Sequence, residues 1–204
     1  MEASAKSLIA VCHELYQRGF VSGSGGNVSL RTQDGFLITP SGFSLGTLTE
    51  DQLAKVDFAG RPLVGSRPSR ESPMHLAIYR AREDVQAIVH THSPHATALA
   101  CLLEPGRPIP PYTPSYAYLV RQLPLIPYYR PGSQALADAI REKASGANGF
   151  LLQNHGVVAL GASLTEALSV AEEIEDNCRI YLLTQGQARS LAAEEVDEIW
   201  RLMK

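Results

Sequence analysis

The chain has 204 residues, of which 45% are hydrophobic and 19% are charged, which is typical of one globular domain with a sizeable core. Its formal net charge of −3 at pH 7 excludes the basic surface by which proteins bind nucleic acid without sequence preference. Three scattered cysteines argue against a disulfide framework, and the sequence predicts neither a signal peptide nor a membrane helix. We therefore expect one cytoplasmic domain over residues 1–204, with neither nucleic acid nor a membrane as its partner.

The first third of the chain predicts one helix followed by short strands. Apolar residues recur at spacings of three and four, the pattern of an amphipathic helix, and Gly19 ends this pattern. Two alternating segments separated by Gln33-Asp34-Gly35 are typical of a hairpin. The predicted elements are a helix over residues 4–18, strands over 28–31 and 36–39, a helical turn at 49–51, and strands near residues 56 and 63.

The remaining two thirds alternate strands with longer helices. Pro73 and Pro94 suit the first turns of two of these helices. The proline-rich segment 104–114 is short and leads straight back into apolar sequence, so we interpret it as an ordered surface connection. The predicted elements are helices near 73–79 and over 95–103, 133–145 and 164–184, and strands over 123–128, 149–152 and 157–160. A further strand contains the apolar run 85–89 and ends at His90-Thr91-His92. Hairpins together with covering helices favour an α+β or three-layer α/β/α single domain with a mixed or antiparallel sheet.

Two histidines, His90 and His92, follow the apolar run at residues 85–89. Side chains two apart in a strand point to the same face, so both imidazoles can reach one ion. His155, which follows the apolar pair at residues 151–152, is the best candidate for a third ligand in a site with an open position, as in catalytic zinc sites. The alternative is that the histidines are partly buried polar residues with a packing role and no metal. His95, on the helix that follows, fits a supporting or surface position better than a ligand.

Polar residues also cluster at a helix entrance and in glycine-containing loops. Glu71 is either a cap for the first turn of the helix or, if it faces the metal, the group that transfers protons. The loop at residues 22–27 matches neither a dinucleotide fingerprint nor a Walker loop, so it is either a tight turn or a nest of amides for an anion. Ser41-Gly42 and Ser69-Arg70 would strengthen the anion hypothesis if they converged on this loop, and Arg70 could add a forked charged contact.

Five motifs in this order and spacing resemble the class II aldolase/adducin family. They are Gly25-Gly26-Asn27-Val28-Ser29, Thr39-Pro40-Ser41-Gly42, Ser69-Arg70-Glu71, His90-Thr91-His92 and Asn154-His155-Gly156, and the resemblance covers about residues 8–183. It implies a three-layer α/β/α fold around a mainly antiparallel sheet, assembled as a homotetramer with sites at subunit interfaces. By similarity to the family's sugar-phosphate aldolases, the three histidines would bind a divalent metal, Zn2+ with Mn2+ or another ion as alternatives. Glu71 would then be the acid and base, and the substrate phosphate would be held by Asn27, Ser41, Gly42 and Ser69.

Some features depart from the aldolases of that family. Arg70 stands where they usually carry a second small hydroxyl residue, and residues 194–204 contain no match to their catalytic tyrosine. Segments 111–116 and 127–132 resemble instead the family's 3-oxo-tetronate 4-phosphate decarboxylases, which carry a basic residue before the glutamate. Tyr112, in the first of these segments, is a further candidate for substrate binding.

The resemblance therefore implies a metal-dependent carbon–carbon lyase acting on a small phosphorylated sugar or sugar acid. The expected reaction is decarboxylation of a 3-oxo-tetronate 4-phosphate to dihydroxyacetone phosphate and carbon dioxide through an enediolate. One alternative is a sugar-phosphate aldolase of the fuculose or ribulose phosphate type, and a dehydratase or epimerase is another. A non-catalytic interaction module, as in adducin head domains, is a third alternative, which the retained histidines and Glu71 disfavour.

Overall fold

The computed structural model describes residues 2–107 and 109–202 and places eight strands in one sheet with helices on both faces. The strands are β1 (Asn27–Thr32), β2 (Gly35–Ile38), β3 (Ala54–Asp57), β4 (Pro62–Gly65), β5 (Ala87–Thr91), β6 (Leu125–Ile126), β7 (Gly149–Leu152) and β8 (Gly156–Gly161). The helices are α1 (Glu2–Gln17), α2 (Ser72–Ala81), α3 (Pro94–Leu102), α4 (Pro114–Leu119), α5 (Gln134–Lys143), α6 (Leu164–Leu183) and α7 (Ala193–Leu202), and a 3-10 turn covers Glu50–Gln52. Met1, Pro108, Met203 and Lys204, which belong to the predicted domain or its proline-rich connection, lie outside the described residues.

The strands follow the order β4-β3-β2-β1-β5-β8-β7-β6 across the sheet. Among these described strands, β6 and β7 form the one parallel pair, and all other neighbouring strands are antiparallel. This order places β5 in the interior of the sheet, between β1 and β8. The prediction of a mainly antiparallel central sheet is therefore confirmed.

Each face of the sheet carries its own hydrophobic core. In β5, Ala87 and Val89 join the core that contains residues of α1, α3 and α6, whereas Ile88 joins the core formed with α2 and α5. This division follows from the alternation of side chains along a strand. His90 lies two residues beyond Ile88 and so points toward α2. The predicted three-layer α/β/α arrangement is confirmed, and it places the β5 histidines opposite the start of α2.

Several predicted elements have different bounds in the structure. The strand predicted to contain the apolar run 85–89 and to end at the histidine pair covers Ala87–Thr91, so His90 belongs to it as predicted and His92 lies one residue beyond it. The strand predicted over 123–128 is reduced to Leu125–Ile126. Proline at positions 124 and 127 explains this, because proline has no backbone N–H to donate to a neighbouring strand.

Two helices were not predicted from the sequence. The first, α4, begins with Pro114 and is capped by Thr113, whose hydroxyl accepts a hydrogen bond from the Tyr116 amide at 3.2 Å. The second, α7, is amphipathic and packs against α4 through Trp200, whose ring N–H donates to the Ala117 carbonyl at 2.7 Å. None of the helices within the described ranges is both long and apolar enough to cross a membrane.

Candidate active site

The end of β5 and the turn between β7 and β8 bring the three predicted histidines together. His90 is paired with Asn27 of β1 on one side and with Val158 of β8 on the other. His155 lies in the β7–β8 turn, which Asn154 makes possible by adopting a left-handed backbone with φ of 55°. Asparagine tolerates this conformation better than most residues, so Asn154 fits the sharp break that precedes His155.

The three imidazoles form a group that could hold a metal ion. One ring nitrogen from each of His90, His92 and His155 can be chosen so that all three lie within 4.8 Å of one another. The Nε2 atoms of His90 and His92 are 3.2 Å apart. His90 is fully buried, His155 is half-buried and His92 is exposed, so the group opens to solvent on one side.

The protonation of two of these rings, His92 and His155, suits metal binding. Burial, reinforced by the neighbouring His90, lowers the pKa of both His92 and His155 to about 4, so both rings are neutral near pH 7. Burial also acts to lower the pKa of His90, but the charge and hydrogen bond of Glu71 outweigh it and raise this pKa. His90 Nδ1 contacts the Val157 carbonyl at 2.7 Å, an orienting contact typical of metal-binding histidines. The donor set therefore fits a divalent ion with an open position.

Glu71 lies against this group rather than capping α2. Although Glu71 occupies the N-cap position of α2, its side chain makes no capping hydrogen bond, so the capping alternative is not the one that the structure adopts. Its Oε2 atom lies 3.0 Å from His90 Nε2 and accepts a hydrogen bond from Asn27 Nδ2 at 2.9 Å. Its Oε1 atom lies 3.5 Å from His155 Nε2 and has no hydrogen-bond partner.

The carboxyl group of Glu71 is ionised in this environment. Burial acts to raise its pKa, but the charge and hydrogen bond of His90, the charge of His155 and the Asn27 amide together lower it well below the usual value. Glu71 is therefore a buried, ionised carboxylate with one unpaired oxygen, which lies beside a possible metal site.

An open cavity of ≈ 640 Å³ lies in front of Glu71 and the histidines. It collects most of the residues that the sequence predicted to bind substrate. They are Asn27, Ser41, Gly42, Ser69 and Arg70, joined by Ser24, Gly25 and Gly26 of the glycine-rich loop, by Pro40, and by Arg130 and Pro131. The predicted convergence of the glycine-rich loop, Ser41-Gly42 and Ser69-Arg70 is thus found in the structure.

Close backbone contacts hold these loops in place. Gly26 has a φ of 75°, and a Cβ atom there would lie 2.8 Å from the His90 carbonyl oxygen. Gly132 has a φ of 73°, and a Cβ atom there would lie 2.6 Å from the Arg70 carbonyl oxygen. The amides of Ser41 and Ser69 donate to the carbonyls of Arg67 and Thr39, which ties the two serine-containing loops together.

Two arginines, Arg70 and Arg130, line the cavity, and both are exposed. Neither guanidinium forms a hydrogen bond or ion pair with any residue in the described part of the chain. The sequence analysis missed Arg130 as a site residue, although it lies in the segment 127–132 that carried part of the family resemblance. Two unpaired cationic groups in one cavity favour a ligand with more than one negative charge.

Tyr112 and His95 lie outside the cavity of one chain. The Tyr112 amide donates to Asn177 Oδ1 on α6 at 3.0 Å, and the role of Tyr112 in substrate binding stays a prediction. His95 contacts Glu175 Oε1 at 2.7 Å through Nδ1 and is not part of the three-histidine group. Asn27 lines the cavity as predicted, but its side-chain amide contacts Glu71 and the fully buried His75, a residue that the sequence analysis did not single out.

The fold and the site together define a class of enzyme, and comparison with known proteins assigns the family. Over residues 6–182 the chain matches the family described as Class II Aldolase and Adducin N-terminal domain, and it belongs to this family. The chain is accordingly a carbon–carbon lyase, as the resemblance in its motifs implied.

Particular relatives cover nearly its whole length. A 3-oxo-tetronate 4-phosphate decarboxylase of Haemophilus influenzae is 40% identical over 201 residues, which are 97% of this chain and 96% of that protein. An L-fuculose phosphate aldolase of Methanocaldococcus jannaschii is 38% identical and covers 87% of this chain and 95% of its own. The crystal structure of YgbL from Klebsiella pneumoniae, described as a putative aldolase/epimerase/decarboxylase, superimposes with a TM-score of 0.92 at 38% identity, over 97% of this chain and 98% of that one.

Proposed function

We propose that the protein decarboxylates a 3-oxo-tetronate 4-phosphate to dihydroxyacetone phosphate and carbon dioxide. The observation that carries this proposal is the pair of unpaired arginines, Arg70 and Arg130, in the cavity that also contains Glu71. A phosphorylated sugar acid has a phosphate and a carboxylate for them to bind, whereas a ketose phosphate has the phosphate alone. The 40% identity to proteins named as 3-oxo-tetronate 4-phosphate decarboxylases supports the same substrate.

His90, His92 and His155 are proposed to hold the metal, which we take to be Zn2+, with Mn2+ or another divalent ion as alternatives. When bound, such an ion supplies Lewis-acid stabilisation of negative charge that develops on neighbouring substrate oxygens. The histidines fit this role because three imidazoles leave an open coordination position.

Glu71 is proposed to be the acid and base. As an ionised base, Glu71 takes the proton of the substrate hydroxyl on the carbon between the carboxylate and the ketone. Loss of carbon dioxide then breaks the bond to the carboxylate and leaves its electron pair on that carbon. Glu71 returns the proton to this carbon, and solvent supplies the one further proton that the reaction consumes. The unpaired Oε1 atom of Glu71 is suited to this exchange.

The substrate phosphate is proposed to lie against the loops that contain Ser41, Gly42 and Ser69, with Asn27 beside them. The Ser69 hydroxyl accepts a bond from the Glu71 amide at 3.3 Å, which leaves its own hydrogen for the phosphate. Arg70 follows Ser69 directly and is assigned to the same phosphate. Arg130 is then left for the second anionic group, the carboxylate that departs as carbon dioxide. Tyr112 has no part in this assignment within one chain.

A sugar-phosphate aldolase is the second candidate, because L-fuculose phosphate aldolases are 38% identical to this chain. The experiment that separates the two is incubation with 3-oxo-tetronate 4-phosphates and with ketose 1-phosphates, with carbon dioxide and aldehyde measured separately. We expect carbon dioxide from the phosphorylated sugar acid and no aldehyde from the ketose phosphates. Aldehyde without carbon dioxide would overturn the decarboxylase proposal and assign the aldolase reaction.

The family resemblance supports three further proposals about the working form of the protein. We propose that residues 1–204 act as one class II aldolase-type domain, that this domain works in the cytoplasm, and that it assembles as a homotetramer with sites at subunit interfaces. Light scattering during gel filtration tests the assembly, for which we expect four times the 22.1 kDa mass of one chain. A monomer at micromolar concentration would exclude it.

A further inference from the structure

We propose that His75 is a positioning residue for Glu71, acting through Asn27 to determine which oxygen of the carboxylate faces the substrate. This inference rests on the proposed role of Glu71 in proton transfer. His75 itself lies outside the cavity and touches neither the three-histidine group nor the space where the substrate would bind.

A continuous chain of hydrogen bonds runs from Glu71 into the protein interior. Asn27 Nδ2 lies 2.9 Å from Glu71 Oε2, and Asn27 Oδ1 lies 2.5 Å from His75 Nε2. His75 Nδ1 lies 2.7 Å from the Ser29 hydroxyl, which lies 2.8 Å from the Tyr79 hydroxyl. All five side chains are at most 8% exposed, so no solvent competes for these contacts.

The hydrogens of this chain can be placed from one end to the other. An ionised Glu71 only accepts, so the Asn27 atom that faces it is the donating amide nitrogen and the amide oxygen faces His75. His75 must then donate from Nε2, and as a neutral ring it accepts at Nδ1. The Ser29 hydroxyl donates to Nδ1, and the Tyr79 hydroxyl donates to Ser29 in preference to the Gln86 carbonyl at 3.4 Å. Every donor in the chain thus points toward Glu71.

The neutral form of His75, on which this order depends, is favoured by its surroundings. Burial, together with the nearby His90, lowers the pKa of His75 to about 3. A neutral imidazole has one donor and one acceptor, and both are used here. The ring therefore has a single arrangement that satisfies both neighbours, and this arrangement prevents the Asn27 amide from rotating by 180°.

The consequence for catalysis is that the two oxygens of Glu71 become different. Oε2 accepts the hydrogen bond of the Asn27 amide, whereas Oε1 is buried without a hydrogen-bond partner. Oε1 is therefore the oxygen that exchanges the proton with the substrate. If the Asn27 amide rotated, its oxygen would face the carboxylate and repel it, and Glu71 would lose the contact that holds Oε2.

The positions of Glu71, His75 and Tyr79 along α2 explain how these side chains reach one hydrogen-bonded chain. Glu71, His75 and Tyr79 recur every four residues, so they lie along one face of the helix that packs on β1. Asn27 and Ser29 recur two residues apart on β1 and so point to that same helix. Side chains of α2 and β1 therefore alternate along the hydrogen-bonded chain, which ends at the Glu71 carboxylate.

The first test observes the hydrogens directly. Long-range nitrogen–proton correlation spectra of the zinc-loaded, 15N-labelled protein distinguish the two tautomers of a neutral histidine. We expect His75, assigned by its loss in His75→Gln, to carry its proton on Nε2 from pH 6 to pH 8. A proton on Nδ1 or on both nitrogens would overturn the proposal. This measurement requires no activity.

The second test compares two substitutions of His75. Glutamine can reproduce both contacts, an amide N–H to Asn27 and an amide oxygen to Ser29, whereas leucine can make neither. We expect His75→Leu to lower kcat by about 10–100-fold, the range for outer partners that orient a metal site, with metal content and KM little changed. His75→Gln should recover most of the loss.

Further variants keep the proposal testable if His75→Leu does not fold. Tyr79→Phe removes only the last donor and should lower kcat by about twofold to fivefold. Ser29→Ala should have an effect between those of Tyr79→Phe and His75→Leu. Tyr79 and Ser29 both lie further from Glu71 than His75 does, so their effects should be smaller. A purely structural role would lower the melting temperature of these variants and leave kcat per folded, metal-loaded enzyme unchanged. That outcome would overturn the positioning role.

The two proposals fail in different ways. If Glu71→Gln retains turnover, the acid and base assignment is wrong, and the positioning role of His75 falls with it. If Glu71→Gln is inactive while His75→Leu is folded, metal-loaded and fully active, only the positioning role is wrong.

Discussion

The two sides of the cavity are built in different ways. On one side, Glu71, Asn27 and His90 are buried and joined to one another by hydrogen bonds. On the other side, Arg70 and Arg130 are exposed and have no partner in the described residues. The first side is held by β1, β5 and the start of α2, and the second by loops. The groups proposed for bond breaking are therefore fixed by regular structure, while those proposed for recognition are left free for the ligand.

This contrast teaches where changes in sequence should act. Residues on the buried side hold one another, so a substitution there should disturb the reaction with any substrate. Residues on the arginine side are independent of the protein interior, so a substitution there should alter which substrate binds. Substitutions on each side of the cavity therefore test this division.

Removal of one histidine should abolish activity on every substrate. We expect His92→Ala to lose stoichiometric metal, because two histidines hold a divalent ion much more weakly than three. Atomic emission of the purified protein measures the metal content, and His13→Ala is the control, since His13 contacts the Leu48 carbonyl and neither residue lines the cavity. Full metal content in His92→Ala would contradict the ligand assignment.

Substitution of the carboxylate should separate metal binding from turnover. We expect Glu71→Gln to retain its metal and to lose about 10²–10⁴-fold in kcat, the usual contribution of a general acid and base. Steady-state release of carbon dioxide measures the loss, and Glu83→Gln, at an exposed position, is the matched control. Near-normal turnover in Glu71→Gln would remove it from the proton-transfer role.

Substitution on the arginine side should change recognition more than chemistry. We expect Arg130→Gln to raise KM for a 3-oxo-tetronate 4-phosphate by about 10–100-fold, which corresponds to the loss of a charged hydrogen bond worth about 1.5–3 kcal/mol. The inert ligands 4-phosphoerythronate and erythritol 4-phosphate isolate the carboxylate, because only the first has one. Calorimetry should show that Arg130→Gln weakens the first ligand alone. Arg179→Gln, at an exposed position outside the cavity, is the control. Equal weakening of the two ligands by Arg130→Gln, or affinities equal to those of Arg179→Gln, would contradict the assignment of Arg130 to the carboxylate.

The smallest expected effect concerns stability and pH in the metal-free protein. Burial lowers the pKa of His75 to about 3 and those of His92 and His155 to about 4, below the ordinary value of 6.5. The unfolded chain therefore binds more protons at these three rings between pH 6.5 and pH 4, so stability falls as the pH falls. The raised pKa of His90 acts in the opposite direction but involves one ring only.

We expect the melting temperature of the chelator-treated protein to fall by about 3–10 °C between pH 7.5 and pH 5.5, at about 2–4 °C per kcal/mol in a chain of this size. Differential scanning calorimetry measures it. His75→Gln should show a smaller fall, because one of the three rings is removed. A melting temperature that rises on acidification would contradict the sign of this prediction.

The parts of the structure that could be predicted are those with a local signal. Alternating patterns located most strands, and apolar spacings of three and four residues located most helices. The β5 histidines were recognisable because two imidazoles at the end of an apolar run have few other uses. Whether Glu71 caps α2 or faces the histidines could not be decided from its own neighbourhood, since both kinds of residue occupy the same position at a helix start. Only the fold, which brings His90 and His155 to within 3.5 Å of it, separates the two.

The parts that were missed depend on distant contacts. Arg130 is 60 residues from Arg70 in sequence, and the fold places the backbone at Gly132 close to the Arg70 carbonyl. The prediction that Tyr112 binds the substrate rests on its segment alone, and within one chain its amide donates to Asn177 of α6. His75 did have a signal, because Glu71, His75 and Tyr79 recur every four residues along a helix that is otherwise apolar on that face.

The pairing of Asn27 with His90 across β1 and β5 also bears on how the sheet is assembled. A slip of β5 by one residue would turn His90 toward the apolar core beneath α1 and α6 and bury its imidazole without a partner. The wrong register is thus penalised twice, by lost apolar packing and by an unsatisfied polar ring. The residues that are proposed to serve the reaction therefore also favour the correct register of β5. A molecule with this register already has its reactive groups in place.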